Sequence, residues 1–334
     1  MEEYVNLECA DLCKKSFGKS FTDIYPLKAS GSARKYFRVK IDDHPYIICY
    51  SKNIQENHTF IKLSEYLINK NIPVPRIYGV SGNYEMYILQ DLGDIDLMSV
   101  LKGKNNFPDL RKKLNLILKD LVAFQTLPQN EWKDIVEFPP LNDELIRYDF
   151  NYCTSNFFET CGIDYDEKKL ANEFRKLENI LLEYPKNLWG LMFRDFQSRN
   201  IMLHEDRPFF IDYQSSRFGP GVYDLVSFAW QAKAGFSMKE RNDIIDMYCK
   251  AWEGHGLSGA EIIKENVGYW ALFRIIQTLG AYGLRGLKEG KTHFIESIPF
   301  AIANLKELFN NYRLIESFPC LYDIVEMASK KYHI

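Results

Sequence analysis

Apolar and polar positions alternate most clearly between Ile24 and Ser51, where IYPLKA, KYFRVKI and PYIICYS read as strands. Gly31-Ser32 and the turn signal Asp42-Asp43-His44-Pro45 separate them, so the spacing predicts three antiparallel strands. From Asn57 to Asn69 the period changes: Phe60, Leu63, Leu67 and Ile68 return at helical spacing, and Pro73 and Pro75 close the helix. Tyr84 to Gln90 alternates again and runs into Asp91-Leu92-Gly93. Beyond that point helical spacing dominates. Leu110, Leu114, Ile117, Leu118, Leu121 and Phe124 form one apolar stripe, and helices are predicted over Asp143–Phe158, Met238–Trp252, Glu261–Leu287 and Ile298–Tyr312. A short helix within residues 1–20 is expected on the back of the first lobe. The pattern predicts an α+β chain with a small N-terminal β-rich lobe, residues 1–92, and a larger, mainly α-helical C-terminal lobe, residues 93–334.

The candidate chemistry lies in Phe193 to Tyr213, FRDFQSRNIMLHEDRPFFIDY. Asp195 and Asn200 stand at the separation of the Asp and Asn in a protein-kinase catalytic loop, where the Asp takes the proton of the attacking hydroxyl and the Asn holds magnesium. Asp212 follows the apolar run Phe209, Phe210, Ile211, which reads as a buried strand. Its carboxylate would emerge at the strand end, where the second metal-binding Asp of such enzymes sits. The residue types suit the task, since a transferring phosphoryl group needs magnesium and magnesium prefers hard oxygen ligands. A turn-capping Asp and a loop-satisfying Asn would also produce this spacing by chance. Asp212, its strand and the flanking arginines make the pattern specific, and they imply Mg2+ and ATP.

Other positions follow from that plan. The connection SGSAR, with Ser30, Gly31, Ser32 and Arg34, is expected over the triphosphate; a plain hairpin turn is the alternative. Strand PYIICYS should deliver a lysine to the α- and β-phosphates, yet its inward positions hold Ile48, Cys49 and Tyr50, and the nearest lysine is Lys52 at the strand exit. Lys52 reaching back, Arg34 or Lys35 in its place, and reliance on metal remain open alternatives. Glu56 would pair with that cation, or simply suit the start of a helix. Gln90, Asp91 and Leu92 leave the first lobe through a Gly-containing link, as a hinge bonding adenine through its backbone would. On the acceptor side, Arg194, Gln197, Arg199 and Gln214 flank the nucleophile. Arg147 and Asp149 belong to a helix whose charged face is either solvated or in contact with substrate. Asp224 is expected to N-cap the next helix and to hold the catalytic loop by accepting its backbone N–H groups. Trp270, Arg274, Gln277, Tyr282 and Arg285 give one later helix a density of polar and aromatic groups that suits either packing or the acceptor.

Composition narrows the classes. The 334 residues carry 42 Lys and Arg against 45 Asp and Glu, a net charge of −3, so no basic excess exists to neutralise nucleic-acid phosphates. The seven cysteines are scattered without a C-x-x-C pair and read as reduced, packed thiols of a cytoplasmic protein. The N-terminus lacks the basic and apolar regions of a signal peptide, and no apolar run is long enough to span a membrane. Gly18-Lys19-Ser20 resembles the end of a phosphate loop, but Cys13 stands where the first glycine is required.

Taken together, FRDFQSRNIM, FFIDYQ and YDL resemble the aminoglycoside phosphotransferase and choline kinase superfamily, and the resemblance covers nearly the whole chain. SARKYFRV, IPVPRIYGV, ILQDLGD and RDFQSRN look most like its branch of anomeric sugar kinases that act on N-acetylmuramate and N-acetylglucosamine. The resemblance implies a protein-kinase-like two-lobed fold with Asp195 as catalytic base and Asn200 and Asp212 as magnesium ligands. It further implies Gln90 to Leu92 as the adenine hinge and the Ser30 to Arg34 loop over the phosphates. The expected activity is transfer of the γ-phosphoryl of Mg-ATP to a sugar hydroxyl, the anomeric one of an N-acetylated amino sugar, in cell-wall recycling. An aminoglycoside or choline-type kinase and a non-catalytic nucleotide-binding module are the alternatives. Two departures stand out: Phe193 occupies the place of a loop-supporting His, and the strand lysine is displaced.

Overall fold

The computed structural model describes residues 2–27, 34–102 and 107–334. Ser30, Gly31 and Ser32 lie outside the described residues. The chain divides into two compact units, one formed by Met1–Asn105, Leu127–Phe138 and Arg199–Ser216, the other by Asn106–Thr126, Pro139–Ser198 and Arg217–Ile334.

In the first unit β1 (Asp23–Pro26), β2 (Lys35–Ile41), β3 (His44–Tyr50), β4 (Ile77–Val80) and β5 (Met86–Gln90) form one antiparallel sheet in the order β1-β2-β3-β5-β4. Asp42 and Asp43 both adopt left-handed backbone, φ 49° and 63°, between the paired residues Ile41 and His44. Such a two-residue turn matches the twist of the strands it joins, and Asp tolerates the conformation better than most residues. Strand β4 was not anticipated, because Pro73 and Pro75 and the shortness of IYGV hide it. One face of the sheet buries Val39, Ile41, Ile48, Met86 and Ile88 against Cys9, Leu12 and Cys13 of the N-terminal helix Glu2–Phe17. The helix Ile54–Asn69 begins where the Asn53 side chain accepts the Glu56 N–H, and it buries Phe60, Ile61, Leu63 and Leu67.

A hairpin of β6's successors completes this unit; β6 (Trp189–Met192) itself belongs to the other. The strands β7 (Ile201–His204) and β8 (Arg207–Phe210) pair from Ile201↔Phe210 to His204↔Arg207. Glu205 and Asp206, at φ 49° and 62°, repeat the left-handed turn seen between β2 and β3. Leu203 donates to the Ile95 carbonyl at 2.8 Å and Phe210 to the Pro73 carbonyl at 2.7 Å, which fixes the hairpin within its unit.

The second unit is mainly helical. Its centre is Ala260–Tyr282, which buries Val267, Trp270, Leu272, Phe273, Ile276 and Leu279 around much of its circumference, as a core helix must. It packs against the helices Asp143–Cys153, Val222–Ala229 and Ile298–Asn311. Two of the predicted helices end differently from expectation. Asp143–Cys153 continues as a π turn over Thr154–Phe158, and Ala260–Tyr282 as another over Gly283–Lys288. These turns meet: a Cβ on Gly283 would lie 2.1 Å from the Asn156 carbonyl oxygen. The helices Glu167–Leu182 and Pro319–Lys331 were not anticipated. β6 pairs with β9 (Arg217–Pro220), from Trp189↔Pro220 to Met192↔Arg217, at the two ends of the stretch from 193 to 216. All seven cysteines are free and buried. No helix among the described residues is long and apolar enough to cross a membrane.

Candidate active site

The loop bearing Asp195 is held from below by Asp224. Its Oδ2 accepts the Phe193 N–H at 2.8 Å and the Gln125 amide at 2.8 Å, and its Oδ1 accepts the Arg194 N–H at 2.9 Å. These bonds secure Arg194 at φ 82°, a conformation that disfavours any residue with a Cβ. Asp224 does not cap its helix, contrary to expectation. The helix starts at Val222 with Gly221 in the cap position, and the Asp224 carboxylate is already committed to the loop. Burial pushes its pKa up to about 7, with the Gln125 and backbone hydrogen bonds opposing the rise. Phe193 is fully buried against Phe124 and Phe196, with ring centroids 5.5 and 5.3 Å away, so the loop is supported here by packing. Beyond Asp195, Ser198 donates both its N–H and its hydroxyl to Gln231 Oε1.

The Asp195 carboxylate receives a hydrogen bond from Gln197 and an ion pair from Arg274 Nη2 at 2.9 Å. Arg274 comes from the core helix, also bonds Gln277, and lies over the Tyr223 ring at 5.4 Å. Arg194 lies over the same ring at 5.6 Å and pairs with Asp149 at 3.4 Å. Burial opposes the charge of Arg274, and Tyr223 and Asp195 more than restore it, so its pKa stands above the ordinary value. Arg217 joins this group from β9; burial first, then the Arg194 charge, lowers its pKa to about 10. Asp149 is only 3% exposed, so it does not lie on a solvated face; burial raises its pKa despite Arg194. Arg147 is half exposed and pairs with Asp143 and Glu178.

Gln197 and Arg274 also line a cleft of the second unit with Ser227, Trp230, Gln231 and Tyr282. The buried indole N–H of Trp230 has no hydrogen-bond partner among the described residues. Among the described residues lining this cleft, Arg274 is the one charged side chain.

In the first unit, the β7–β8 hairpin sets Asn200, just before Ile201, beside Ile211 and Asp212, just after Phe210; the Ile211 N–H donates to the Asn200 carbonyl at 3.0 Å. Asp212 adopts φ 69°, and its Oδ1 accepts from Gln214 at 2.9 Å and from Arg34 at 3.0 Å. Arg34 also pairs with Glu56, whereas Lys52 and Lys35 are exposed. Tyr213 is buried, stacked on Phe60 at 4.8 Å and bonded to Ser64, which ties the helix bearing Glu56 to the segment bearing Asp212. The side chains of Asn200 and Asp212 offer the hard oxygens that magnesium prefers, from adjacent ends of one hairpin, so this donor set fits that ion. At the strand exit, Arg38 grips Asp91 at 2.6 and 3.0 Å and Asp94 at 2.8 and 3.1 Å, while Asp91 Oδ1 accepts the Gly93 N–H at 2.9 Å. Gly93 takes φ 80°, which a glycine adopts at no steric cost. Gln90 donates its N–H to the Arg76 carbonyl, and Leu92 is buried.

Asp195, Arg194 and Gln197 thus share one unit with Arg147, Asp149 and Asp224, while Asn200, Asp212, Arg34 and Glu56 share the other. Gln214, expected at the acceptor, donates to Asp212, and Arg199 is exposed in the first unit. Gln125, Arg217, Tyr223, Trp230 and Gln231 escaped the sequence reading, since their contacts run across long separations and follow no periodicity.

The small antiparallel sheet followed by a larger helical region is a protein-kinase-like fold. The Plasmodium vivax ethanolamine kinase has it at a TM-score of 0.62 with 18% identity, over 92% of this chain and 89% of that one. A streptomycin-ATP-APH(2″)-IIa ternary complex has it at 0.57 with 13% identity, over 88% of this chain and 97% of that one. The chain belongs to the phosphotransferase enzyme family APH, whose model matches residues 24–258, and it is a small-molecule kinase. Among curated proteins, the N-acetylmuramate/N-acetylglucosamine kinase of Pseudomonas aeruginosa is 23% identical over 313 residues, 89% of each chain.

Proposed function

We propose that the protein transfers the γ-phosphoryl group of Mg-ATP to the anomeric hydroxyl of an N-acetylated amino sugar, as a cytoplasmic enzyme of cell-wall sugar recycling. Residues 1–92 serve as the nucleotide-binding lobe and 93–334 as the catalytic and acceptor lobe in this reading. Asp195 accepts the proton of the attacking hydroxyl, whose oxygen forms a bond to the γ-phosphorus while the bond to the ADP oxygen breaks and ADP leaves with the electron pair. Asn200 and Asp212 would hold magnesium, which neutralises charge on the phosphates. Gln90 to Leu92 would meet adenine through the backbone, with Arg38 and Asp91 bracing that exit.

The observation that carries the reading is the lining of the cleft beside Asp195. A site for a cationic aminoglycoside would call for carboxylates, and one for choline an aromatic cage. This cleft instead holds a buried arginine and, among the described residues, the unpartnered indole N–H of Trp230, which suit the hydroxyl and N-acyl oxygens of a sugar. A site built to bond such groups rejects compounds that lack them. The similarity to the Pseudomonas aeruginosa kinase supports the same substrate class. The test is ADP release from Mg-ATP with a panel of acceptors. N-acetylated amino sugars are expected to be turned over at least tenfold faster than choline or an aminoglycoside; preference for either cation would overturn the assignment.

A further inference from the structure

The nucleotide side of this reading has a gap at the strand that should carry a lysine. Strand register shows where that residue would stand. Tyr36, Cys49 and Tyr87 are directly opposed across β2, β3 and β5, so they form one row on one face of the sheet. Burial pushes the Cys49 thiol up to about 11, and the neighbouring Tyr87 and Tyr36 hydroxyls oppose the rise. Arg34 precedes Tyr36 by two residues and therefore approaches the same face, where it bonds the Tyr36 hydroxyl. Lys35 pairs in register with Tyr50, on the opposite face, and is exposed like Lys52.

Arg34 is 8% exposed, and its guanidinium reaches both Glu56 and Asp212. A buried cation anchored to a helix carboxylate and touching the carboxylate expected to bind magnesium is what a phosphate-binding lysine would provide. Here the cation arrives from the chain before β2, and a cysteine at the strand position leaves it room.

Resting on the kinase reading above, we propose that Arg34 is the residue that contacts the α- and β-phosphates of the nucleotide, anchored by Glu56, and that Cys49 marks the strand position a lysine would otherwise fill. Arginine suits this geometry, because its planar fork can hold Glu56 with one N–H while presenting others to an oxyanion.

The experiment is calorimetric binding of Mg-ATP and of adenosine to the full chain, in the wild type, Arg34→Ala, Arg34→Lys, Lys52→Ala and the double variant Arg34→Ala/Cys49→Lys. Loss of a charge-assisted contact predicts ATP affinity at least about tenfold weaker in Arg34→Ala. Adenosine, which has no phosphates, should bind that variant as it binds the wild type, which also shows that the variant is folded. Arg34→Lys keeps the charge and should lie between the two, and the double variant should recover part of the lost ATP affinity. Wild-type ATP affinity in Arg34→Ala, above all with a loss in Lys52→Ala, would overturn the assignment alone. A parallel loss of adenosine binding in both Arg34 variants would assign the residue to the fold and also overturn it. A wild-type protein that binds no ATP would overturn the kinase reading with it.

Discussion

Removing the carboxylate of Asp224 tests how the catalytic loop is held. Asp224→Ala orphans three buried donors, the N–H groups of Phe193 and Arg194 and the Gln125 amide. At about 1–3 kcal/mol each, that is a cost of about 3–9 kcal/mol. The variant is spared a cost as well. A carboxyl whose pKa burial pushes from 3.8 to about 7 takes about 4 kcal/mol to hold ionised well above that pH. At pH 7 nearly all of this, about 4 kcal/mol, is recovered, so the net expectation runs from about zero to a loss of about 5 kcal/mol. Catalysis should suffer more than stability. Without the bonds from the Phe193 and Arg194 N–H groups to Asp224, Arg194 can relax from φ 82°, and Asp195 moves with it. A displacement of about 1 Å at a reacting group costs on the order of 10²-fold in rate. Urea unfolding gives the first quantity and steady-state turnover of the folded variant the second. An Asp224→Ala protein with wild-type stability and turnover within threefold of wild type would refute this account of the loop.

Asp195→Asn, which keeps shape and loses the proton acceptor, should lower kcat by about 10²–10⁴-fold in a protein that still folds, with a lower unfolding midpoint because buried Arg274 loses its charge partner; equal turnover would remove Asp195 from the mechanism. The folded pKa of Asp224 lies above its unfolded value, so the folded chain holds a proton that the unfolded chain has released. Its stabilising contribution is therefore full below about pH 4 and is lost as pH rises through about 7, with a slope of at most about 1.4 kcal/mol per pH unit. Stability curves of the wild type and Asp224→Asn from pH 5 to 8 should diverge by that slope, and parallel curves would count against it. Phe193→His would bury a polar ring among Phe124 and Phe196, and a loss of about 1–3 kcal/mol in urea unfolding is expected. A Cβ on Gly190 would lie 1.9 Å from the Gln125 carbonyl oxygen, so Gly190→Ala should disturb the approach of β6 to that helix and lower the melting temperature measurably.

Local signals carried much of this molecule. Alternation in KYFRVKI and PYIICY placed β2 and β3, helical spacing placed Ile54–Asn69, and the run ending at Ile211 placed β8 and, through the hairpin, the adjacency of Asn200 and Asp212. Those residues are close in sequence, so spacing and geometry coincide. The rest depends on burial and long-range pairing. Arg274 meets Asp195 across 79 positions, and Asp149 meets Arg194 across 45; neither contact has a period to reveal it. For Asp149 the sequence left a solvated face and a substrate contact both open, because a buried ion pair and an exposed one share the same sequence pattern; its burial removes the solvated face. Asp224 was expected both to cap its helix and to hold the loop; the cap fails, because the helix starts at Val222, and the hold on backbone N–H groups 30 residues upstream is present. The displaced strand lysine was visible as an absence. Arg34 already stood among the alternatives for its place, and the register that brings Tyr36, Cys49 and Tyr87 into one row is what favours it in our proposal.

The central claim is that the protein phosphorylates the anomeric hydroxyl of an N-acetylated amino sugar. It is tested most directly by ³¹P NMR of the purified protein with Mg-ATP and N-acetylglucosamine or N-acetylmuramate. A sugar 1-phosphate resonance should grow as ATP is consumed and fail to appear with Asp195→Asn. A phosphate signal at another hydroxyl, or no phosphorylated sugar while ATP is demonstrably bound, would contradict it.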